Sequence, residues 1–246
     1  MNRNALIQNL RDNQSGQWDI IVIGGGATGL GIALDAVTRG YKTVLLEQSD
    51  FTKGTSSRST KLVHGGVRYM AQGDILLVIE ALHERGLMLK NAPHLTANQE
   101  FVIPAYTLWD VFLYTVGLKF YDLLAGKLSM GKSYFINRSK VLARLPLLKP
   151  EGLKGGIVYH DGQFDDSRMA VTLARACVEN GGIVLNYLRI NALLKDERGK
   201  ITGVQAMDTE SGTEYTIHGK LVINATGVFA DEIHRMDDPS SKPSIM

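Results

Sequence analysis

Cysteine is almost missing from this chain of 246 residues, with Cys177 the single example. One thiol can neither close an intrachain disulfide nor build a metal site alone, so a disulfide-stapled scaffold is excluded and a reducing, cytoplasmic compartment is expected. A charge of one sign is lacking too. Lys and Arg number 27 against 25 Asp and Glu, and a net of +2 gives no electrostatic footprint for nucleic acid. Long hydrophobic runs are absent: nothing approaches the roughly 18 consecutive apolar residues of a membrane span, and Asp110 interrupts the most apolar stretch, 108–118, near its start. The first 19 residues are polar and carry no apolar signal core. Disorder is excluded in turn, because 44% hydrophobic and 21% charged residues make an ordinary globular balance.

Glycine is what the chain has in excess, 26 residues, many of them clustered. Around the first cluster the pattern is regular. A short helix over 5–11 and a polar linker over 13–17 precede Asp19–Ile23, an apolar run that reads as a strand buried on both faces. A helix is expected over 27–39, closed by Gly40, and a second strand over 42–47 completes a βαβ unit. Residues 49–60 are hydroxyl-rich and read as loop, while Asp74 is a good N-cap for a helix running to Lys90. From 93 to 150 short apolar pieces alternate with Pro, Gly and aromatics, as in a second unit inserted into the first. The α/β texture returns with a helix capped by Asp166 and stopped at 180–182, a strand over 183–185, and a meander over 188–195, 201–207 and 214–218. A last buried strand is expected over 221–225, and no element over 236–246.

Residues 24–29 read GGGATG, a fit to G-x-G-x-x-G that is weak alone. Its context supplies the mechanism, since a strand precedes it, a helix follows, and Glu47 ends the next strand. Gly24 permits a tight turn, Gly26 lets backbone approach a pyrophosphate, and Gly29 allows close helix–strand packing. The helix N-terminus offers free N–H groups and the positive end of its dipole to phosphates. Glu47 can accept from both hydroxyls of an adenosine ribose and would repel a 2′-phosphate, which disfavours NADP. The motif does not choose between FAD and NAD.

The segment after Glu47 does. Residues 55–69 read TSSRSTKLVHGGVRY, a dense run of donors followed by two adjacent glycines. Hydroxyls and Lys61 suit a diphosphate and a ribityl chain, and Gly65 and Gly66 let backbone lie against a flat ring and polarise it. A nicotinamide site has no use for this second patch. With the glycine motif, 55–69, the APHL of 92–95, the DGQFDDSR of 161–168 and the NATG of 224–227, the chain resembles the FAD-dependent glycerol-3-phosphate dehydrogenases of the D-amino-acid-oxidase-like superfamily, from Asp19 to Asp231.

That resemblance implies an α/β fold, a doubly wound FAD/NAD(P)-binding Rossmann-like domain with an inserted, incomplete α+β substrate unit. The divisions expected are 17–92 and 164–235 for the two parts of the FAD-binding domain, 93–163 for the substrate unit, and 236–246 as a tail. It implies FAD contacts at Gly24, Gly26, Ala27, Thr28, Gly29, Glu47 and Gln48 toward the adenosine end. Thr55, Ser56, Ser57, Thr60, Lys61, Leu62, His64, Gly65 and Gly66 are implied toward the flavin, with Arg189 and Ile190 flanking adenine and Ala225, Thr226 and Gly227 near the diphosphate. Arg68 and Tyr69 are implied to face the substrate. The implied reaction oxidises sn-glycerol 3-phosphate to dihydroxyacetone phosphate, with hydride passing to flavin N5 and electrons to a quinone. The implied surroundings are a peripheral membrane surface, on the cytoplasmic face of the inner membrane, and a homodimer. Members of that family are longer, so further substrate-domain strands and basic phosphate ligands are expected outside this sequence.

Several residues keep two readings. His64 is the candidate base, against the commoner structural role of a lone histidine. Asp165 and Asp166 read as helix-terminus residues rather than an acid–base pair, and Arg168 as an ion-pair partner. Cys177 reads as core. His83, His94, His160, His218 and His234 show no metal-ligand spacing, so no metal is expected. The aromatic stretch 109–124 reads first as a core helix and second as an interfacial one. For the whole chain the alternatives are an oxidase using O₂, a non-catalytic FAD-binding fragment, and an NAD-binding protein.

Overall fold

A computed structural model of the chain describes residues 1–13, 16–70 and 72–243, with Arg68 described by its backbone alone. In chain order the elements are α1 (Arg3–Asp12), β1 (Trp18–Ile23), α2 (Ala27–Thr38), β2 (Thr43–Leu46), β3 (Leu62–Val63), α3 (Val67–Met70), α4 (Ile75–Asn91), β4 (Thr96–Ala105) and α5 (Leu108–Ala125). They continue with β5 (Tyr134–Asn137), α6 (Arg138–Arg144), β6 (Gly155–Phe164), α7 (Asp166–Glu179), β7 (Ile183–Leu185), β8 (Leu188–Lys195), β9 (Ile201–Asp208), β10 (Glu214–Asn224) and α8 (Ala230–Asp237). Two compact units result, one of Met1–Ser59 with the chain from Asp166 onward, the other of Thr60–Asp165. Parts of the expected linker (14–15) and tail (244–246) lie outside the described residues, as does the side chain of Arg68.

The first unit is α/β and wound on both faces of its sheet. Strands run in the order β7-β2-β1-β10-β9-β8. Neighbours from β7 through β1 to the second half of β10 are parallel, and β10, β9 and β8 are antiparallel. The period-2 alternation of strands places the core. Ile21, Ile23, Val44, Leu46 and Leu185 pack on one face with Leu6, Ile7 and Leu10 of α1. Val22, Leu45 and Val184 pack on the other with Leu30 and Ala33 of α2 and Ala170, Ala174 and Cys177 of α7. Helices on both faces explain why these strands are continuously apolar.

Two details of this unit differ from expectation. The strands expected over 214–218 and 221–225 are one strand, β10. Its first half pairs antiparallel with β9 and its second half parallel with β1. Gly219 makes the handover, since a Cβ there would come within 2.7 Å of Ile21 Cδ1. The second half is also less buried than its sequence suggests, with Leu221 exposed. Asp166 is not an outside cap but the first residue of α7, buried, with Oδ1 accepting from the Ser167 N–H at 2.7 Å and Oδ2 from the Ser59 hydroxyl at 2.8 Å.

The second unit is an antiparallel sheet centred on β6. β4 pairs with β6 along its whole length, while β3 and β5 pair with the two ends of its other edge. This sheet was not legible, because Pro104 lies within β4 and glycines 155, 156 and 162 within β6, residues that ordinarily argue against strand. The divide expected at 92/93 falls inside this unit. The helix expected from Asp74 to Lys90 is α4, Ile75–Asn91, with the Asp74 carboxylate capping it by accepting from the Leu77 N–H. Its buried face, Val78 and Leu82, packs against Tyr121 and Ala125 of α5. A periodic pattern identifies an apolar face but not the element that covers it. In α5, Thr107 and Asp110 form a capping box, so the carboxylate that interrupts the apolar run is the helix's start signal. One side of α5 is core (Leu118, Tyr121), while Trp109, Phe112, Val116 and Leu123 are exposed. No described helix is long and apolar enough to cross a membrane.

Candidate functional site

At the C-terminal ends of β1 and β2 the first unit opens into a cavity of about 720 Å³. This is where α/β sheets receive nucleotides, because strand ends and helix N-termini converge there. The cavity is lined by Gly24, Gly26 and Thr28 of the glycine turn, Glu47 and Gln48 after β2, Thr55 and Ser56, Arg189 and Ile190 of β8, and Ala225, Thr226 and Gly227 after β10. Four stretches far apart in sequence are thus brought to one hollow. Ala27, Gly29 and Ser57 belong to the same segments without lining it.

The glycines have specific reasons. Gly24 adopts φ +109, and a Cβ on it would lie 2.6 Å from the Ala225 carbonyl oxygen. A Cβ on Gly29 would lie only 1.9 Å from the Gly24 carbonyl oxygen, so α2 packs on the turn at a separation no side chain permits. Gly26 occupies the N-cap of α2 and brings no side chain to it. The Ser56 hydroxyl accepts from the Ala27 N–H at 2.9 Å and supplies that cap from a distant loop.

Glu47 is engaged differently from the simple expectation of a ribose ligand. Its Oε2 accepts from the Gly25 N–H at 2.6 Å and its Oε1 from the Ser49 N–H at 2.8 Å, so it ties the glycine turn to the loop after β2. A carboxylate has about four acceptor positions, which leaves capacity for a ribose hydroxyl.

Sequence reasoning missed part of the lining. Lys53 and Arg58 bring positive charge to a cavity that also holds Glu47 and Glu232. Phe229, Ile233 and Met236 form an apolar wall around α8. Arg58 sits inside the hydroxyl-rich run and could have been found there. The wall had no signal, because α8 is short and follows the last recognisable motif.

In the second unit, Thr60 and His64 are exposed and Lys61 and Leu62 half-buried at the start of β3. Lys61 has φ +62, an uncommon value for a residue with a side chain. Gly65 and Gly66 are buried, and Gly66 has φ +75. The Gly65 N–H donates to Asp161 Oδ1 at 3.1 Å. A Cβ on Gly65 would stand 2.3 Å from both the Tyr121 hydroxyl and Leu82 Cδ2, so the turn lies hard against α4 and α5. Tyr69, in α3, is exposed, and its ring crowds the space a Cβ on Gly66 would need, at 2.8 Å. Cys177 is fully buried, and burial pushes its thiol up to about 11, as expected of a core residue.

Residues 19–246 match the family described as FAD dependent oxidoreductase. The chain is 45% identical to the probable mitochondrial glycerol-3-phosphate dehydrogenase of Caenorhabditis elegans, over 97% of this chain and 34% of that protein. It is 46% identical to the mitochondrial glycerol-3-phosphate dehydrogenase of Saccharomyces cerevisiae, over 92% of this chain and 36% of that protein. Its structure resembles that of the glycerol-3-phosphate dehydrogenase from Bacillus halodurans complexed with FAD, with TM-score 0.73 and 35% identity over 96% of this chain and 39% of the other. L-proline dehydrogenase from P. horikoshii shares the fold, with TM-score 0.69 at 19% identity. The chain therefore spans about a third of the length of the two relatives named first. Both carry a mitochondrial name, which overturns the cytoplasmic location, and the cytoplasmic membrane face, expected from cysteine usage and resemblance.

Proposed function

The chain belongs to the FAD-dependent oxidoreductase family, and on that premise we propose that it binds FAD and serves the oxidation of sn-glycerol 3-phosphate to dihydroxyacetone phosphate in a mitochondrial setting. The observation that carries the cofactor assignment is the glycine turn opening on the 720 Å³ cavity, with Gly29 packed beneath Gly24 where no Cβ fits. The residues present suit FAD: small backbone at the turn, a helix N-terminus, hydroxyls, and two cations to meet a diphosphate.

In this reading Gly24, Gly26, Ala27, Thr28 and Gly29 cradle the diphosphate, with Ala225–Gly227 beside it. Glu47 and Gln48 meet the ribose, and Arg189 and Ile190 flank the adenine. Thr55, Ser56, Ser57, Thr60, Lys61 and Leu62 serve the ribityl and flavin end, and the backbone of His64, Gly65 and Gly66 lies against the ring. Bound FAD supplies the acceptor for the substrate's hydride. Arg68 pairs with the substrate phosphate, for which a guanidinium fork is well shaped. Tyr69 orients the substrate, and His64 takes the C2 hydroxyl proton. A quinone as final acceptor, a peripheral membrane surface and a homodimer complete the reading. The named relatives are dehydrogenases, which weighs against the oxidase. The one second reading is a chain that holds FAD without turning over.

The test is a visible spectrum of the purified chain before and after anaerobic sn-glycerol 3-phosphate. A flavin band that bleaches supports both cofactor and substrate. A band that persists supports the second reading, and folded protein without flavin refutes the cofactor assignment.

A further inference from the structure

Behind the Gly65 turn the second unit buries an ion pair. Arg85 of α4 is 1% exposed and Asp161 of β6 is 3% exposed, and Arg85 Nη1 donates to Asp161 Oδ1 at 2.8 Å. The same carboxylate oxygen accepts the Gly65 N–H, and the Tyr121 hydroxyl donates to Oδ2 at 3.2 Å. Arg85 Nε is the one buried polar side-chain atom without a partner among the described residues. This cluster is expensive. Two charges are taken out of water, one donor is left unmade, and an apolar set of equal volume is often as stable or more so. Three elements, α4, α5 and β6, nevertheless converge on one backbone N–H of one turn. That turn has no room to move toward them, because Leu82 and Tyr121 already stand where a Gly65 Cβ would be.

We propose that Arg85, Asp161 and Tyr121 are positioning residues that fix the Gly65 turn and set the electric field it presents, so that they tune the reduction potential of the flavin. The inference rests on the reading that this turn meets the flavin ring. The neutral pair holds the field near balance, and breaking it on either side leaves one charge in a site of low dielectric, where its reach is long. A reduced flavin gains negative charge. Asp161→Asn keeps an acceptor for the Gly65 N–H but unmasks the arginine, so the potential rises. Arg85→Met unmasks the carboxylate, so the potential falls. Loss of packing alone cannot produce opposite signs from two variants of one contact.

The experiment is a dye-coupled potential measurement on the FAD-loaded full chain. Opposite shifts in Asp161→Asn and Arg85→Met support the inference, and shifts of one sign, or none in variants that retain FAD, overturn it. Either variant can fail to fold, since each leaves a buried charge unpaired. In that event Tyr121→Phe decides, because it keeps both charges and the ring. Its hydroxyl donates to Asp161 Oδ2 (3.2 Å), so its loss leaves the carboxylate less neutralised and lowers the potential, and an unshifted potential overturns the inference. A wild-type chain that binds no flavin overturns the cofactor reading and the inference with it, whereas flavin-bearing variants of unchanged potential overturn the inference alone.

Discussion

Replacing Gly29 by alanine tests the cofactor cradle at its tightest point. The new Cβ would stand 1.9 Å from the Gly24 carbonyl oxygen, where ordinary contact begins at 3.4 Å. Both groups are backbone, so no side chain can swing aside, and α2 must withdraw from the turn by about 1.5 Å, an overpacking that costs roughly 1–3 kcal/mol. For a domain of this size each kcal/mol moves the midpoint by about 2–4 °C, so Tm should fall by roughly 2–12 °C. The same withdrawal takes the helix N-terminus away from the diphosphate, and FAD affinity should fall by about tenfold or more, equivalent to 1.4 kcal/mol. Gly31 supplies the internal control. It lies in the same helix, and nothing stands within 4 Å of a Cβ placed there. Gly31→Ala should therefore stabilise by roughly 0.5–1 kcal/mol, the usual gain of alanine over glycine within a helix. Thermal unfolding and FAD titration of both variants read the two quantities together. A Gly29→Ala chain that unfolds and binds FAD like the parent would refute the close-packing account.

Three further perturbations follow from the same contacts. Glu47→Ala removes the acceptor of the Gly25 and Ser49 N–H groups, and at about 1.5–3 kcal/mol for each hydrogen bond to a charged group it should lower Tm and weaken FAD together, whereas a change in FAD binding alone would mean that Glu47 serves only the ligand. Burial of Asp208 works to raise its carboxyl, but hydrogen bonds from Arg3 and the Glu210 N–H outweigh it and hold it below its ordinary 3.8. Its folded-state pKa is depressed, so this contribution is fully present above the ordinary carboxylate range and is lost as pH falls through the lower folded value, and an Arg3→Met chain should show a shallower acid loss of Tm than the parent. Cys177 is fully buried with its thiol pushed up to about 11, so a thiol reagent at neutral pH should label it only on unfolding, and rapid labelling of the native chain would contradict its place on the core face of α7, in the cluster shared with α2.

Much of the nucleotide-binding unit was legible because its signals are local. The apolar run of β1, the glycines of the turn and the helix after them each state a backbone preference over a few residues, and the structure has them at Trp18–Ile23 and Ala27–Thr38. The sheet of the inserted unit was not legible. Its central strand carries glycines and its partner a proline, and those strands are specified by pairing along ten residues of β4 and β6 that lie far apart in the chain. The fusion of two expected strands into β10 has the same origin, since β9 and β1 hold its two halves in line.

Residue chemistry was determined by the sequence alone: a dinucleotide turn, a carboxylate after the second strand, a donor-rich run with paired glycines, and the family these mark. Only the tertiary structure decided what those groups touch. Glu47 was visible as an acceptor, yet that it clamps two backbone N–H groups depends on how β1 and β2 lie side by side. Arg85 was one charge in an amphipathic helix, and nothing local distinguishes it from a solvated one. It is buried because Asp161 meets it from a strand 76 residues away, and a charge survives in a core only when such a distant partner is delivered to it.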